Sequence, residues 1–119
     1  MNIGVSGKFG EDTAAEFLRK KGYKIVRRNF SCRSGEIDII AENEDFLVFA
    51  EVKLRKNDRY GEAREFVDYS KRQKIIRTAS LYLRRYETEK QPRFDVIEVY
   101  APNGISSPVK INHLENAFM

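Results

Sequence analysis

The stretch from Glu36 to Lys53 constrains this chain more than any other. Glu36-Ile37-Asp38-Ile39-Ile40-Ala41 and Phe46-Leu47-Val48-Phe49-Ala50-Glu51-Val52-Lys53 are rich in β-branched and aromatic residues, with the turn-prone Glu42-Asn43-Glu44-Asp45 between them. That pattern predicts an antiparallel hairpin. With the turn centred between Glu44 and Asp45, the numbers of facing residues sum to 89, so Asp38 falls opposite Glu51 and Glu36 opposite Lys53. Alternation then puts these four charged side chains on one face. Ile37, Ile39 and Val52, with Val48 and Ala50 nearby, form the other face as a core surface.

Around the hairpin, residues 8–21 read as a helix, with Ala14, Phe17, Leu18 and Lys21 at helical spacing and Gly22 placed for a left-handed cap. Residues 23–28 read as a strand and Asn29 to Ser34 as a polar loop ending at Gly35. A second helix is expected from about Asp68 to Tyr86, capped by Asp68 or Ser70, with Ile75, Ala79, Tyr82, Leu83 and Tyr86 on its apolar stripe. Pro92 closes a linker, Arg93 to Tyr100 reads as a strand, residues 102–108 as a loop, and Val109 to Ile111 as a last short strand before a closing turn of helix. The order helix, three strands, helix, two strands predicts a three-layer α/β/α domain around a central mixed sheet. With 119 residues and 41% hydrophobic content, the whole of 1–119 suits one domain.

Charge is distributed unevenly. The total is 22 Lys and Arg against 18 Asp and Glu, a modest excess that favours polyanionic partners. Lys53, Arg55, Lys56 and Arg59 cluster against Asp58 alone, and Lys71, Arg72, Lys74, Arg77, Arg84 and Arg85 run without an acid, whereas acids gather between Glu36 and Glu51. A basic rim about an acidic centre suits an enzyme that holds phosphates and places a metal ion among them; two solvated faces are the plainer alternative. The single Cys32 permits no intrachain disulfide, and neither a secretory leader nor a membrane span is expected. The expected location is the cytoplasm.

Asp38, Glu51 and Lys53 form a set with a chemical rationale. Two carboxylates facing each other across a hairpin repel unless a cation sits between them, and a divalent metal with hard oxygen ligands serves that purpose. Lys53 projects beside Glu51, where its amine could orient or deprotonate an attacking water. Glu11 is a separate misfit: it precedes Ala14, Ala15 and Leu18 at helical spacing, so a carboxylate shares the core-facing stripe. The plainer readings are a polar strand face and a first-turn carboxylate that favours the helix dipole. Gly4, Gly7 and Gly10 lack the Gly-Lys-Ser/Thr of a phosphate loop. His113 reads as packed or surface and Cys32 as a spare thiol. Tyr60, Phe66 and Tyr69 lie among basic residues, where such aromatics stack bases or anchor a loop.

Several strings together resemble the YraN-like family of small bacterial proteins: Gly7-x-x-Gly10-Glu11, Gly22-Tyr23, Arg28-Asn29, Gly35-Glu36-Ile37-Asp38-Ile39-Ile40, Glu51-Val52-Lys53-x-Arg55, Lys71-x-x-Lys74 and Arg93-Phe94-Asp95-Val96-Ile97. The likeness spans nearly the whole chain. That family is similar to the restriction-endonuclease-like superfamily with the PD-(D/E)xK motif, and most similar to archaeal Holliday-junction resolvases. The resemblance implies a restriction-endonuclease-like fold with Asp38, Glu51 and Lys53 as the motif, and Glu11 completing a Mg²⁺ or Mn²⁺ site with Asp38 and Glu51. It also implies a polar residue from the following helix, Gln73 or the nearby Lys71. Ile37 replaces the motif's proline, and Leu54 stands where relatives often carry a small polar residue. The expectation is a metal-dependent endonuclease acting on DNA rather than RNA, branched or structured DNA included, in repair or recombination. Glu36 is expected as an auxiliary carboxylate; Arg55, Lys56, Arg59, Lys71, Arg72 and Lys74 would hold the backbone, and two copies could form a homodimer. The alternative is a catalytically silent nucleic-acid-binding module with a nuclease fold.

Overall fold

A computed structural model describes residues 3–55, 68–101 and 109–118, with side chains from residue 7 onward. Helix α1 spans Ile3–Lys20, β1 Lys24–Cys32, β2 Gly35–Glu42 and β3 Phe46–Arg55; α2 spans Tyr69–Arg85, β4 Gln91–Tyr100 and β5 Lys110–Leu114. The strands lie across one sheet in the order β1-β2-β3-β4-β5, antiparallel except for the parallel pair β3 and β4. Only the parallel pair needs a long crossover, and α2 lies within it in sequence. Ala14, Ala15 and Leu18 of α1 pack on Ile39, Ala41, Val48, Ala50, Ile97 and Val99. Ile75, Ala79 and Tyr82 of α2 pack on the opposite face, against Phe30, Ile37, Ile40, Phe49, Phe94 and Val96. The result is the expected three-layer α/β/α architecture around a mixed sheet, the arrangement that a restriction-endonuclease-like reading requires. Among the described residues no helix is long and apolar enough to cross a membrane.

Local chemistry sets the element ends. The Gly22 N–H bonds the Arg19 carbonyl and the Tyr23 N–H bonds the Leu18 carbonyl, with Gly22 at φ +97. This pair of bonds is the Schellman motif, for which glycine is suited because it has no Cβ. Asp68, one of the two expected caps, closes the start of α2 by accepting from the Lys71 N–H at 2.8 Å. Gly35 begins β2 beneath α2, where a Cβ would meet the Thr78 hydroxyl at 3.3 Å and the Lys74 Cβ at 3.4 Å.

Several expected boundaries move. The segment Asn29 to Ser34 is not a loop: β1 runs on to Cys32, because Phe30 pairs with Ile37, Ser31 with Glu36 and Cys32 with Gly35. Cross-strand pairing outweighs polar composition there. Helix α1 starts at Ile3 rather than at residue 8, β4 takes in Gln91 and Pro92, and Glu115 and Asn116 form a turn rather than a closing helix. The expected loop over 102–108 lies outside the described residues.

The hairpin register holds: Ile39 pairs with Ala50, Ile40 with Phe49, Ala41 with Val48 and Glu42 with Leu47, each pair summing to 89. The predicted division of faces does not hold at its far end. Ile37 packs under α2 whereas Ile39 packs under α1, although regular alternation would give them one face. The same slip occurs in β1, where Arg28 reaches α1 through Glu11 and Asp12 while Phe30 joins the α2 core. Asn29 and Asp38 are the two residues at the step.

Candidate metal and nucleic-acid site

At this step β2 parts from β3, since their pairing ends at Ile39 with Ala50. The Asp38 side chain fills the gap: its Oδ2 accepts the Val52 N–H at 2.8 Å, a donor that a continuing ladder would have used. From there Asp38 faces two ways. Toward α2 its carboxyl comes under the charge of Glu51; toward α1 it lines a cleft of about 230 Å³ with Gly7, Gly10, Glu11, Glu36, Val52 and Leu54.

Glu51 is 6% exposed and receives the Lys71 ammonium, with Nζ 3.1 Å from Oε1. Burial first, then the charge of Glu51 and the bond shared with it, push the Asp38 carboxyl up to about 7, against the opposing pull of the Val52 N–H and Lys71. A carboxyl shifted this far is partly protonated near neutral pH, because burial and a neighbouring negative charge both disfavour its ionised form. Lys53 is half-buried, and burial and then the adjacent Lys71 pull its ammonium below the ordinary lysine range. Lys71 moves the other way: burial lowers it, but the charge of Glu51 and the bonds to Glu51 and Lys53 outweigh burial and raise it. One lysine is thus held charged against a carboxylate while its neighbour is shifted toward the free amine, a division suited to acid and base roles.

Glu11 reaches this neighbourhood as helical phase predicted, its side chain 12% exposed and lining the cleft with Asp38. Its carboxylate is nonetheless taken: Oε1 accepts from Arg28 Nε at 2.9 Å and from Asn29 Nδ2 at 3.0 Å. Arg28 also bonds Asp12 at 2.5 Å. Among the described residues no three acidic, histidine or cysteine side chains converge closely enough to cage a cation as they stand. The expected triad is therefore a pair, Asp38 with Glu51, plus Glu11 turned to Arg28. The pair fits a divalent cation by its donor chemistry: hard oxygens, with a proton on Asp38 near neutrality that a cation would replace.

Other expected residues separate. Glu36 is exposed and lies on the α1 side of the step with Glu11, whereas Lys53 lies on the α2 side beside Lys71, so the predicted common face for Glu36 and Lys53 is corrected by the slip at Asp38. Gln73 follows Lys71 by two residues and sits roughly 200° round the helix from it, and no hydrogen bond joins it to the carboxylates; the helix contribution comes from Lys71. Arg55 turns toward the fully buried Glu98, with Nε 3.8 Å from Oε2, rather than standing out for a phosphate. Arg72 lies over the ring of Tyr69, which is 69% exposed, and Lys74 is exposed on another side of the helix, over Gly35. Lys56, Arg59, Tyr60 and Phe66 lie outside the described residues.

A second charged cluster had no warning beyond the pattern Arg93-Phe94-Asp95, which places two opposite charges on one strand face. The Arg93 guanidinium grips fully buried Asp95 with two bonds of 2.9 and 2.8 Å, and donates to the Tyr23 hydroxyl at 2.6 Å. His113 lies between Lys21, 2.8 Å from Nδ1, and Asp95, 2.7 Å from Nε2. An ammonium can only donate, so Nδ1 accepts and Nε2 carries the proton given to Asp95. Burial pushes Asp95 up, but its bonds from His113, Arg93 and the Asn116 N–H leave it below the ordinary carboxylate range. Every member is partnered, and the packed histidine of the sequence reading becomes a bridge from the end of α1 to β4.

A family model described as "Uncharacterised protein family UPF0102" matches residues 10–99, the span that holds the hairpin, α2 and all but the last residue of β4. A UPF0102 protein of Caldanaerobacter subterraneus is 46% identical over 94% of this chain and 93% of its own length. One from Clostridioides difficile is 45% identical over 99% of this chain and 100% of its own, and one from Symbiobacterium thermophilum 47% over 94% of each. On matches of this extent, the chain belongs to the UPF0102 family, the YraN-like proteins that its motifs resemble.

Proposed function

We propose that the chain is a divalent-metal-dependent endonuclease acting on DNA in the cytoplasm, a restriction-endonuclease-like protein with Asp38, Glu51 and Lys53 as its motif. The seating of Asp38 on the Val52 N–H, next to a buried Glu51 that Lys71 holds and an amine shifted toward its neutral form, carries this reading. Held by those carboxylates, Mg²⁺ or Mn²⁺ would supply Lewis acidity at a phosphoryl oxygen. The Lys53 amine takes the proton of the attacking water. Lys71 holds Glu51 in place by its ion pair, and Glu11 enters the site when Arg28 turns to another anion. The start of α2, with Tyr69, Arg72 and Lys74, would hold the DNA backbone beside the cut. Resolution of a four-way junction needs two such sites, hence a two-fold homodimer.

The experiment is cleavage of labelled branched, flapped and duplex DNA. Wild type is expected to nick at least one of them only with Mg²⁺ or Mn²⁺, and Asp38→Ala and Lys53→Ala to lose about 100-fold or more while keeping the fold. The capture of Glu11 by Arg28 favours a second reading, a DNA-binding module without turnover. Salt-sensitive DNA binding with no metal-dependent nicking would select it.

A further inference from the structure

We propose that Asn29, through its left-handed backbone, is the positioning residue for Asp38. Asn29 has φ +53 in the middle of β1, and asparagine is the ordinary non-glycine residue that visits this region at low cost. The register does not change across it: Arg28 pairs with Ile39 and Phe30 with Ile37, both summing to 67, while the one register shift in the pair lies between Ile25 and Arg27. The turn of the backbone is therefore not an inserted residue. It rotates the strand so that Arg28 faces α1 and Phe30 faces α2.

Antiparallel partners share a face, so β2 makes the same rotation, between Ile39 and Ile37. Asp38 is the residue at the pivot. Instead of projecting squarely onto one face it lies in the parting of β2 and β3, where it takes the N–H of Val52, the residue next to Glu51. The Asn29 amide meanwhile holds Glu11 at 3.0 Å, so one residue sets the backbone beneath one carboxylate and steadies another. The importance of this placement for metal binding rests on the function proposed above; the placement itself does not.

The test compares Asn29→Val, whose branched side chain opposes a left-handed backbone, with Asn29→Gly, which adopts it freely but lacks the amide. Deuterium exchange of the Val52 amide, taken relative to that of Phe49 in the intact ladder, reports the Asp38 contact without metal. Val52 protection is expected to fall roughly tenfold in Asn29→Val and to stay within about threefold of wild type in Asn29→Gly. Mn²⁺ affinity by calorimetry is expected to follow the same order. Unchanged Val52 protection in Asn29→Val, or an equal loss in both variants, overturns the proposal. Should Asn29→Val fail to fold, Asn29→Ala replaces it, with protection in Asn29→Gly above Asn29→Ala as the supporting result and equality as the contrary one. If wild type takes up no Mn²⁺, the metal reading falls and the exchange comparison alone decides the role of Asn29.

Discussion

Asp38 is a carboxyl kept partly protonated near neutrality, and that fixes how a cation would compete for it. Its pKa is raised from 3.8 to about 7 by burial and by Glu51, so below pH 7 a metal must displace a proton, and that competition fades as pH rises above it. Apparent Mn²⁺ affinity is therefore expected to rise by about tenfold per pH unit up to 7 and then level off. Calorimetry in buffers of different ionisation enthalpy would count the proton released. An affinity that is flat between pH 5.5 and 7 would show that the pair is not the ligand. Lys71 offers a second test, because it neutralises Glu51 from the α2 side. Lys71→Met should tighten Mn²⁺ binding at pH 8 by removing a competing cation. It should also cost the metal-free protein about 1–2 kcal/mol in urea unfolding, since buried Glu51 loses its partner.

The elements show where the sequence was legible. Strand pattern and turn position gave the register of β2 on β3, and helical phase put Glu11 near Asp38, because both follow from fixed periods. The Asn29 step was hidden for the same reason: a period-based reading assumes every residue continues it, and the polar run from Asn29 to Ser34 looked like a loop. Lys71 was legible as basic but not as a partner of Glu51, since nothing local specifies which way the start of α2 meets the sheet. The Arg93, Asp95 and His113 cluster joins residues far apart in the chain, and only the fold unites them. Its energetics are those of a buried ion pair, so Asp95→Ala, which strands the Arg93 guanidinium, is expected to cost about 3–5 kcal/mol by urea unfolding. The pH sign follows from direction. Asp95 lies lower folded than unfolded, so its stabilisation is present above the unfolded carboxylate pKa and lost as pH falls through the folded one. The Asp95→Ala deficit should shrink in acid; a deficit that grows there would contradict the network.

For the whole molecule, the sheet places an acidic pair between a helix whose charged residues are all basic and a second helix supplying another carboxylate. The formal charge of +4 is small, so DNA attraction depends on where the cations lie. If the start of α2 holds the backbone, Arg72→Gln with Lys74→Gln should reduce the slope of log affinity against log salt by about 1.8, from roughly 0.9 per phosphate contact. An unchanged slope would move the DNA elsewhere. The central claim is that Asp38 and Glu51 form a cation site, and paramagnetic broadening tests it most directly. In an amide NMR spectrum titrated with Mn²⁺, the signals of Asp38, Glu51, Val52 and Lys53 are predicted to broaden first, and not in Asp38→Asn. Broadening that begins elsewhere, or that persists unchanged in Asp38→Asn, would contradict it.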